Sequence, residues 1–419
     1  MADRPGLNEP FRLSMLIYDK RYRGLVIQAV VVIAMMLLVW QLAHNVVQNM
    51  ARSGKTFDFG FLWNRSGYDI PFHLIPYNSD STHLRAAMVG LLNTLLVAVL
   101  GCIAATIIGV IVGILRLSSN WLIAKIMTVY VEVFRNVPIL LWILVILSIF
   151  SELLPGPRDY RPDADGNSNA SMLFFDSVAL TNRYTSVPTL HADHPAPALH
   201  LGGISLNGTL VAFVLAFIVA CLIQGRIVRW ANARQEKTGD RPRTWWMTAI
   251  LFLAPLVVMW MAFGLQVVRP ELRGFNFAGG FNLDNGFVVL WLALSLYTAA
   301  FIAEIVRAGI LSVSRGQSEA AAALGLRPRQ VMRLVILPQA LRVIIPPMIS
   351  QFLNLTKNSS LAIAVGFPDL RATLGGTTLN QTGREMETMI LMMGIYLVIS
   401  LTVSAAMNLY NRSVRLKER

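Results

Sequence analysis

The stretch AMVGLLNTLLVAVLGCIAATIIGVIVGIL, Ala87 to Leu115, decides the fold class. It holds no charged residue, and it exceeds the roughly 20 apolar residues that carry a helix across about 30 Å of hydrocarbon. In lipid every backbone N–H and C=O must be paired within the protein, and no alternating barrel pattern occurs, so the span is a helix. The same criterion gives candidate spans near 24–45, 87–115, 127–152, 206–225, 245–267, 286–311, 342–365 and 388–410. The third and seventh carry charge or proline. The first follows Lys20, Arg21 and Arg23. It is longer than the about 7–15 apolar residues of a signal peptide and is therefore a retained helix. The expected fold is all-α and polytopic, with about eight transmembrane helices.

Composition points the same way. Of 419 residues, 55% are hydrophobic and 14% charged, against about 25% charged in soluble domains. The net charge of +13 could suggest a nucleic-acid partner. The placement of the charges decides otherwise. With the N-terminus in the cytoplasm, inside segments hold 22 Lys and Arg and outside segments 11, with Arg135, Arg307 and Lys357 within spans. Such a bias orients a chain in a membrane. Residues 226–244 hold six basic residues against Glu236 and Asp240, and Arg412, Arg415, Lys417 and Arg419 end inside, as eight crossings require. The expected surroundings are lipid, without nucleic acid. Cys102 and Cys221 both fall in apolar runs, as small buried hydrophobes rather than a disulfide.

The chain divides into residues 1–86 (tail, first helix and an external loop), 87–152, 153–285 and 286–419. Within the third part, residues 153–205 carry Asp159, Asp163, Asp165, Asp176 and Asp193 with several prolines, which predicts an ordered external loop.

No G-x-x-x-x-G-K-[ST] loop occurs, so this chain does not hydrolyse ATP through that motif. H-E-x-x-H, C-x-x-C and G-x-S-x-G are absent too. His191, His194 and His200 read as solvated loop histidines rather than metal ligands. No catalytic residue, metal or cofactor of its own is expected.

The segment 316–340 is the informative one. Ser318 followed by an Ala-rich run is a helix start, because Ala has the best helix propensity. Gly325 ends the helix through a positive φ, and a second helix runs to about Pro338. The hairpin is either an ordinary amphipathic connector or a small-residue surface for a partner's cleft, with Glu319 as polar anchor.

Glu319-Ala320-Ala321, Gly325 and Val335-x-Leu337-Pro338 resemble the EAA loop of ABC importer permeases, with Val335 where Ile is usual. The flanks resemble the polar amino-acid branch: Leu92–Leu95, Glu132–Pro138, Tyr297–Ala300, Glu304–Gly309 and Phe352–Leu361. The added first helix, external loop and spans four and five are similar to general L-amino-acid permeases of bacterial inner membranes. The resemblance implies a type I importer-like core forming half of a path for L-amino acids. It also implies a second homologous permease, two ATPase subunits that hold ATP and magnesium, and a periplasmic substrate-binding protein. Glu319, Ala320, Ala321, Gly325, Leu337 and Pro338 would couple to the ATPase. The rivals are an ion- or proton-coupled secondary transporter, which needs buried carboxylates, and a non-transporting scaffold.

Glu132/Arg135 and Glu304/Arg307 are i,i+3 pairs that share a helix face. They are either clamps near the inner interface or substrate contacts. Lys357 lies about 22 Å along the seventh span. It either snorkels outward or, with Asn354, Thr356, Asn358 and Ser359, lines a polar pathway. Pro346 and Pro347 kink or interrupt that span.

Overall fold

The computed structural model describes residues 20–54, 56–161, 168–201, 204–240 and 242–414. The expectations for Asp163, Asp165, Arg415, Lys417 and Arg419 lie outside the described residues. The chain divides into two units, ending and beginning at Gly60 and Phe61. In the first, α1 (Lys20–Arg52) is one continuous helix, apolar and long enough to cross a membrane.

The second unit holds α2 (His83–Leu115), α3 (Trp121–Asn136), α4 (Ile139–Ser148), α5 (Gly208–Thr238), α6 (Trp245–Phe263) and α7 (Asn285–Leu311). A short helix α8 (Arg315–Ala323) follows, then α9 (Pro328–Val331) and α10 (Leu337–Asn358). Two brief helical pieces, α11 (Leu370–Ala372) and α12 (Leu379–Thr382), precede α13 (Glu385–Val414). Among the described residues seven helical segments can cross a membrane, eight if the bent pair α3 and α4 counts as one.

That pair is the third span expected near 127–152, and it is bent rather than continuous. The axis turns by 107° between α3 and α4. Val137 sits extended at φ −107° and ψ 133°, because the ring of Pro138 pushes the residue before it out of the helical region. The segment is a broken span or a re-entrant loop.

The core is built around α7, the most buried of the spans. Ala105, Gly109 and Gly113 recur every four residues and so form one face of α2. A Cβ at Gly109 would stand 2.7 Å from the Ile302 Cβ, and one at Gly113 would stand 2.8 Å from the Ala303 carbonyl oxygen. Ala299 and Ala303 of α7 are small and wholly buried in return. Helices in lipid associate through packing rather than exclusion from water, so close backbone approach is the attraction that small residues make available. Val97, Ile302, Val306, Ile344 and Leu355 fill the flanks of this seam.

The expected external loop carries strands. Before α5 stand β1 (Ala179–Leu180), β2 (Tyr184–Val187), β3 (Thr189–Ala192), β4 (Leu199–Leu201) and β5 (Ile204–Leu206); between α6 and α7 stand β6 (Leu265–Val268), β7 (Glu271–Arg273), β8 (Asn276–Ala278) and β9 (Phe281–Asp284). The antiparallel sheet runs β1-β2-β9, with Tyr184 opposite Asp284. β3 pairs β6 across both α5 and α6. The strand-rich ledge ends directly on α7, where the Asp284 carboxylate caps the helix by accepting from the Phe287 N–H at 3.2 Å.

Candidate functional site

Two features share α7. Tyr297, Thr298 and Phe301 lie one turn apart on one face and meet Gln351, Asn354, Lys357 and Asn358 of α10 around a cavity of about 390 Å³. That is within the range of small-molecule sites. The lining holds amides, hydroxyls and one ammonium, and no carboxylate. Asn354 and Lys357 are exposed, so the cavity opens at the surface of the chain. Tyr297 and Phe301 pack at 5.1 Å between centroids and form its aromatic wall.

Of the predicted pathway residues, Asn354, Lys357 and Asn358 are brought together here; Thr356 and Ser359 are not. Thr356 faces the other side of α10, in an apolar groove with Leu95, Val99 and Phe352, and its hydroxyl donates to the Phe352 carbonyl at 2.8 Å. Ser359 is buried and donates to the Thr356 carbonyl at 2.7 Å. A run of polar residues on a helix points in all directions, and only the positions spaced by three, four or seven reach one cavity. That spacing was the available signal for Gln351, which sequence reasoning passed over.

One turn beyond the cavity, Glu304 is a charge hub. It accepts from Arg116, bonds Arg307 at 3.3 Å and stands 3.8 Å from Arg135. Thus Glu304/Arg307 is a pair, as the i,i+3 spacing predicts. Glu132/Arg135 is not: Arg135 crosses to Glu304, and Glu132 instead accepts from the Asn136 amide at 3.4 Å. Arg135 also lies over the Phe301 ring, 5.6 Å from its centroid, and so touches both hub and cavity wall. Arg116, just past the end of α2, is the member the sequence did not single out.

α7 then leads into the segment 316–340. Its first helix begins at Arg315 with Ser314 in the cap position, rather than at Ser318. Gly325 ends it as expected, at φ +79°. Gly325 N–H donates to Ala322 O at 2.9 Å and Leu326 N–H to Ala321 O at 3.3 Å, the double bond of a Schellman cap. Glu319, Ala320 and Gly325 are exposed, and Ala321 is buried under them. Pro338 does not end a helix. It follows a π-turn, Met332–Ile336, and the helical run passes through it into α10. Leu337 and Pro338 remain exposed beside the hairpin. α10 continues through Pro346 and Pro347 to Asn358. Gly309 lets it cross α7 closely, since a Cβ there would stand 3.3 Å from the Ala340 carbonyl oxygen. The hairpin is therefore joined to α7 through the short turn 312–314, and it runs through the π-turn directly into α10, so it is tied closely to both helices that line the cavity.

At the strand-bearing end, Asp369 is buried between α10 and α13. It accepts from the Ala372 N–H at 2.8 Å and from the Tyr396 hydroxyl at 3.3 Å. Burial pushes its carboxyl up to about 6, against the pull of those bonds. His191 lies on β3 and His194 just beyond it. Among the described residues no group of three metal-ligating side chains comes together.

Residues 243–416 match the family described as "Binding-protein-dependent transport system inner membrane component". The chain is 56% identical over 417 residues to the glutamate/glutamine/aspartate/asparagine transport system permease protein BztB of Rhodobacter capsulatus, covering 98% of this chain and 97% of that one. It is 46% identical over 420 residues to the general L-amino acid transport system permease protein AapQ of Rhizobium johnstonii, covering 99% and 97%. A solved amino acid ABC transporter with histidines is similar at a TM-score of 0.44 and 20% identity, over 79% of this chain and 95% of that one. The chain belongs to the family of amino-acid ABC transport permeases, the multi-pass membrane subunits of ATP-driven importers.

Proposed function

We propose that this permease carries L-amino acids through the cavity between α7 and α10, and that Lys357 holds a substrate carboxylate there. The observation behind this is the continuity of α7, which carries the cavity wall, the Glu304 hub and, at its end, the 316–340 hairpin. Residues 87–152 and 286–419 form one half of the path, a homologous permease the other, and 153–285 are an insertion. Two ATPase subunits hold ATP and magnesium, this chain carrying no G-x-x-x-x-G-K-[ST] loop, and an external binding protein delivers the substrate. Glu319, Ala320, Ala321, Gly325, Leu337 and Pro338 form the surface that the ATPase pushes. A push there reaches α7 and α10 together and opens or closes the cavity between them. ATP must then interact differently with the two states. BztB, by its name, serves glutamate, glutamine, aspartate and asparagine. A lone ammonium among amides suits that set.

The test is uptake of L-glutamate by the purified complex in liposomes. Accumulation requires ATP inside, and uptake by this chain alone on an ion gradient sinks the proposal. A hydrogen bond to a charged group is worth about 1.5–3 kcal/mol, so Lys357→Met lowers uptake by roughly 10- to 100-fold with the complex still assembled. Unchanged uptake in that variant removes Lys357 from the path.

Both termini are placed in the cytoplasm, with the hairpin and the C-terminal end of α5. Arg226, Arg229, Arg234 and Lys237 line that end of α5. A cysteine at position 234 is labelled only from the cytoplasmic side; labelling from outside overturns this orientation.

A further inference from the structure

We propose that the hairpin tip Phe174–Asp176 is where the external binding protein docks, and that docking there is transmitted through the strand ledge to α7. The proposal rests on the reading of this chain as a binding-protein-dependent importer subunit.

The tip is closed at its base. Leu173 and Val178 form an antiparallel bridge, and the Ser177 and Val178 N–H groups both donate to the Leu173 carbonyl at 3.1 Å. Between them Phe174, Phe175 and Asp176 all take positive φ, at 52°, 57° and 57°. A residue with a β-carbon enters that region singly and rarely, and here three stand in a row. Backbone held in such a conformation concentrates at sites where a partner or ligand is met. Arg269 secures the tip by donating to the Phe175 carbonyl at 3.4 Å, as does the Ser177 hydroxyl, also at 3.4 Å.

The side chains have no partner to match this fixing. Phe174 is 76% exposed and Phe175 93%, so two adjacent rings stand almost wholly outside the chain. Rigid exposed aromatics are the residues that fill pockets at protein interfaces. A bilayer is the other apolar environment, and Asp176 argues against it. Its carboxylate is exposed in the same left-handed turn, and the Arg269 guanidinium bonds the Phe175 carbonyl of that turn. Carrying charge into hydrocarbon is costly. The complementary surface is a soluble protein with an apolar cleft and a cation beside it, and the family's own description supplies such a partner, a binding protein.

The route inward is short. Val178 continues into β1, which pairs β2, which pairs β9. Asn285, the first residue of α7, is buried and holds this ledge from both sides. Its amide donates to the Thr181 carbonyl at 2.8 Å, and its oxygen accepts from the Thr185 hydroxyl at 3.1 Å. A displacement of the tip is thus delivered to the N-terminus of the helix that lines the cavity.

The test uses the whole complex in nanodiscs and the purified binding protein that stimulates the unaltered complex, loaded with L-glutamate. The double variant Phe174→Ser, Phe175→Ser raises the binding-protein concentration giving half-maximal ATPase stimulation by about tenfold or more. Assembly and basal hydrolysis stay unchanged. Asp176→Asn keeps a residue that tolerates positive φ. It raises the same concentration less and makes the remaining response less sensitive to salt. A photocrosslinking phenylalanine analogue at position 175 joins the binding protein. An unchanged half-maximal concentration in both variants overturns the proposal. So does an equal loss of activity at every binding-protein concentration, the outcome expected of a lipid anchor. A complex that no binding protein stimulates even when unaltered sinks the underlying reading instead.

Discussion

Glu304→Ala lowers the stability of the folded permease by about 2–4 kcal/mol and sharply reduces recovery of the assembled complex. Three guanidinium groups converge on this one carboxylate, from α2's end, from α3 and from α7 itself. Removing one partner of a buried pair leaves uncompensated charge and typically costs about 3–5 kcal/mol. The side chain of Arg116 is 6% exposed and bears most of that penalty. Arg135 and Arg307, at 35% and 38%, recover part of their hydration, which is why the lower figure is expected. The Nε of Arg116 already lacks a hydrogen-bond partner, so the site has no slack to absorb the loss. Replacing Arg116 by Met in the same chain restores part of the stability, a coupling that a double-mutant cycle measures directly. Thermal unfolding in one detergent, for the two single variants and the double, checks it. Additive losses would show that the hub is not one interacting unit.

Why the sequence yields Glu304/Arg307 but not the rest of the hub follows from geometry. Pairing at i,i+3 is local, and helical periodicity contains it. Arg116 and Arg135 reach Glu304 only because α2, α3 and α7 cross at that level, and no periodicity encodes a crossing. The same limit governs the spans. The first, second, fourth, fifth and eighth came from apolar runs without a charged residue, which need no knowledge of neighbours. The third turned at Pro138, a residue visible in the sequence whose 107° consequence was not. The strands were illegible for a related reason. They are two to four residues long, too short for an alternating pattern to register. Their partners are remote: β2 bonds β9 and β3 bonds β6 only after the chain has passed through α5 and α6. In the pathway run 354–359 the residue types were evident, and which of them faced a cavity was not. That depended on α7 supplying Tyr297 and Phe301 opposite one face of α10. Gly325 was legible because its role is intrinsic. A positive φ at a helix end is a property of glycine rather than of its neighbours.

Gly325→Asp sharply weakens productive coupling while leaving substrate preference untouched. Two costs are added at this position. The backbone stands at φ +79°, where a β-carbon costs roughly 1–2 kcal/mol. The Schellman bonds from Gly325 and Leu326 hold it there, so it cannot relax without fraying the end of α8. Apart from its chain neighbours, nothing lies within 4 Å of where the β-carbon would stand, so the subunit has room for the new side chain. The damage therefore falls on whatever covers this face. Glu319, Ala320 and Leu324 are exposed around it, the open side of a hairpin whose other end is fixed to α7 and α10. A carboxylate forced into a desolvated contact costs about 2–5 kcal/mol, enough to weaken ATPase attachment by roughly 30-fold or more. Gly325→Ala carries the backbone cost alone and separates the two effects, losing much less. Recovery of the ATPase with the purified permease, stimulation of hydrolysis, and uptake of several amino acids are the readouts. Attachment or coupling falls in Gly325→Asp, and the residual uptake keeps the same order among glutamate, glutamine, aspartate and asparagine. Normal assembly and hydrolysis with a changed order would move the hairpin from coupling to substrate selection.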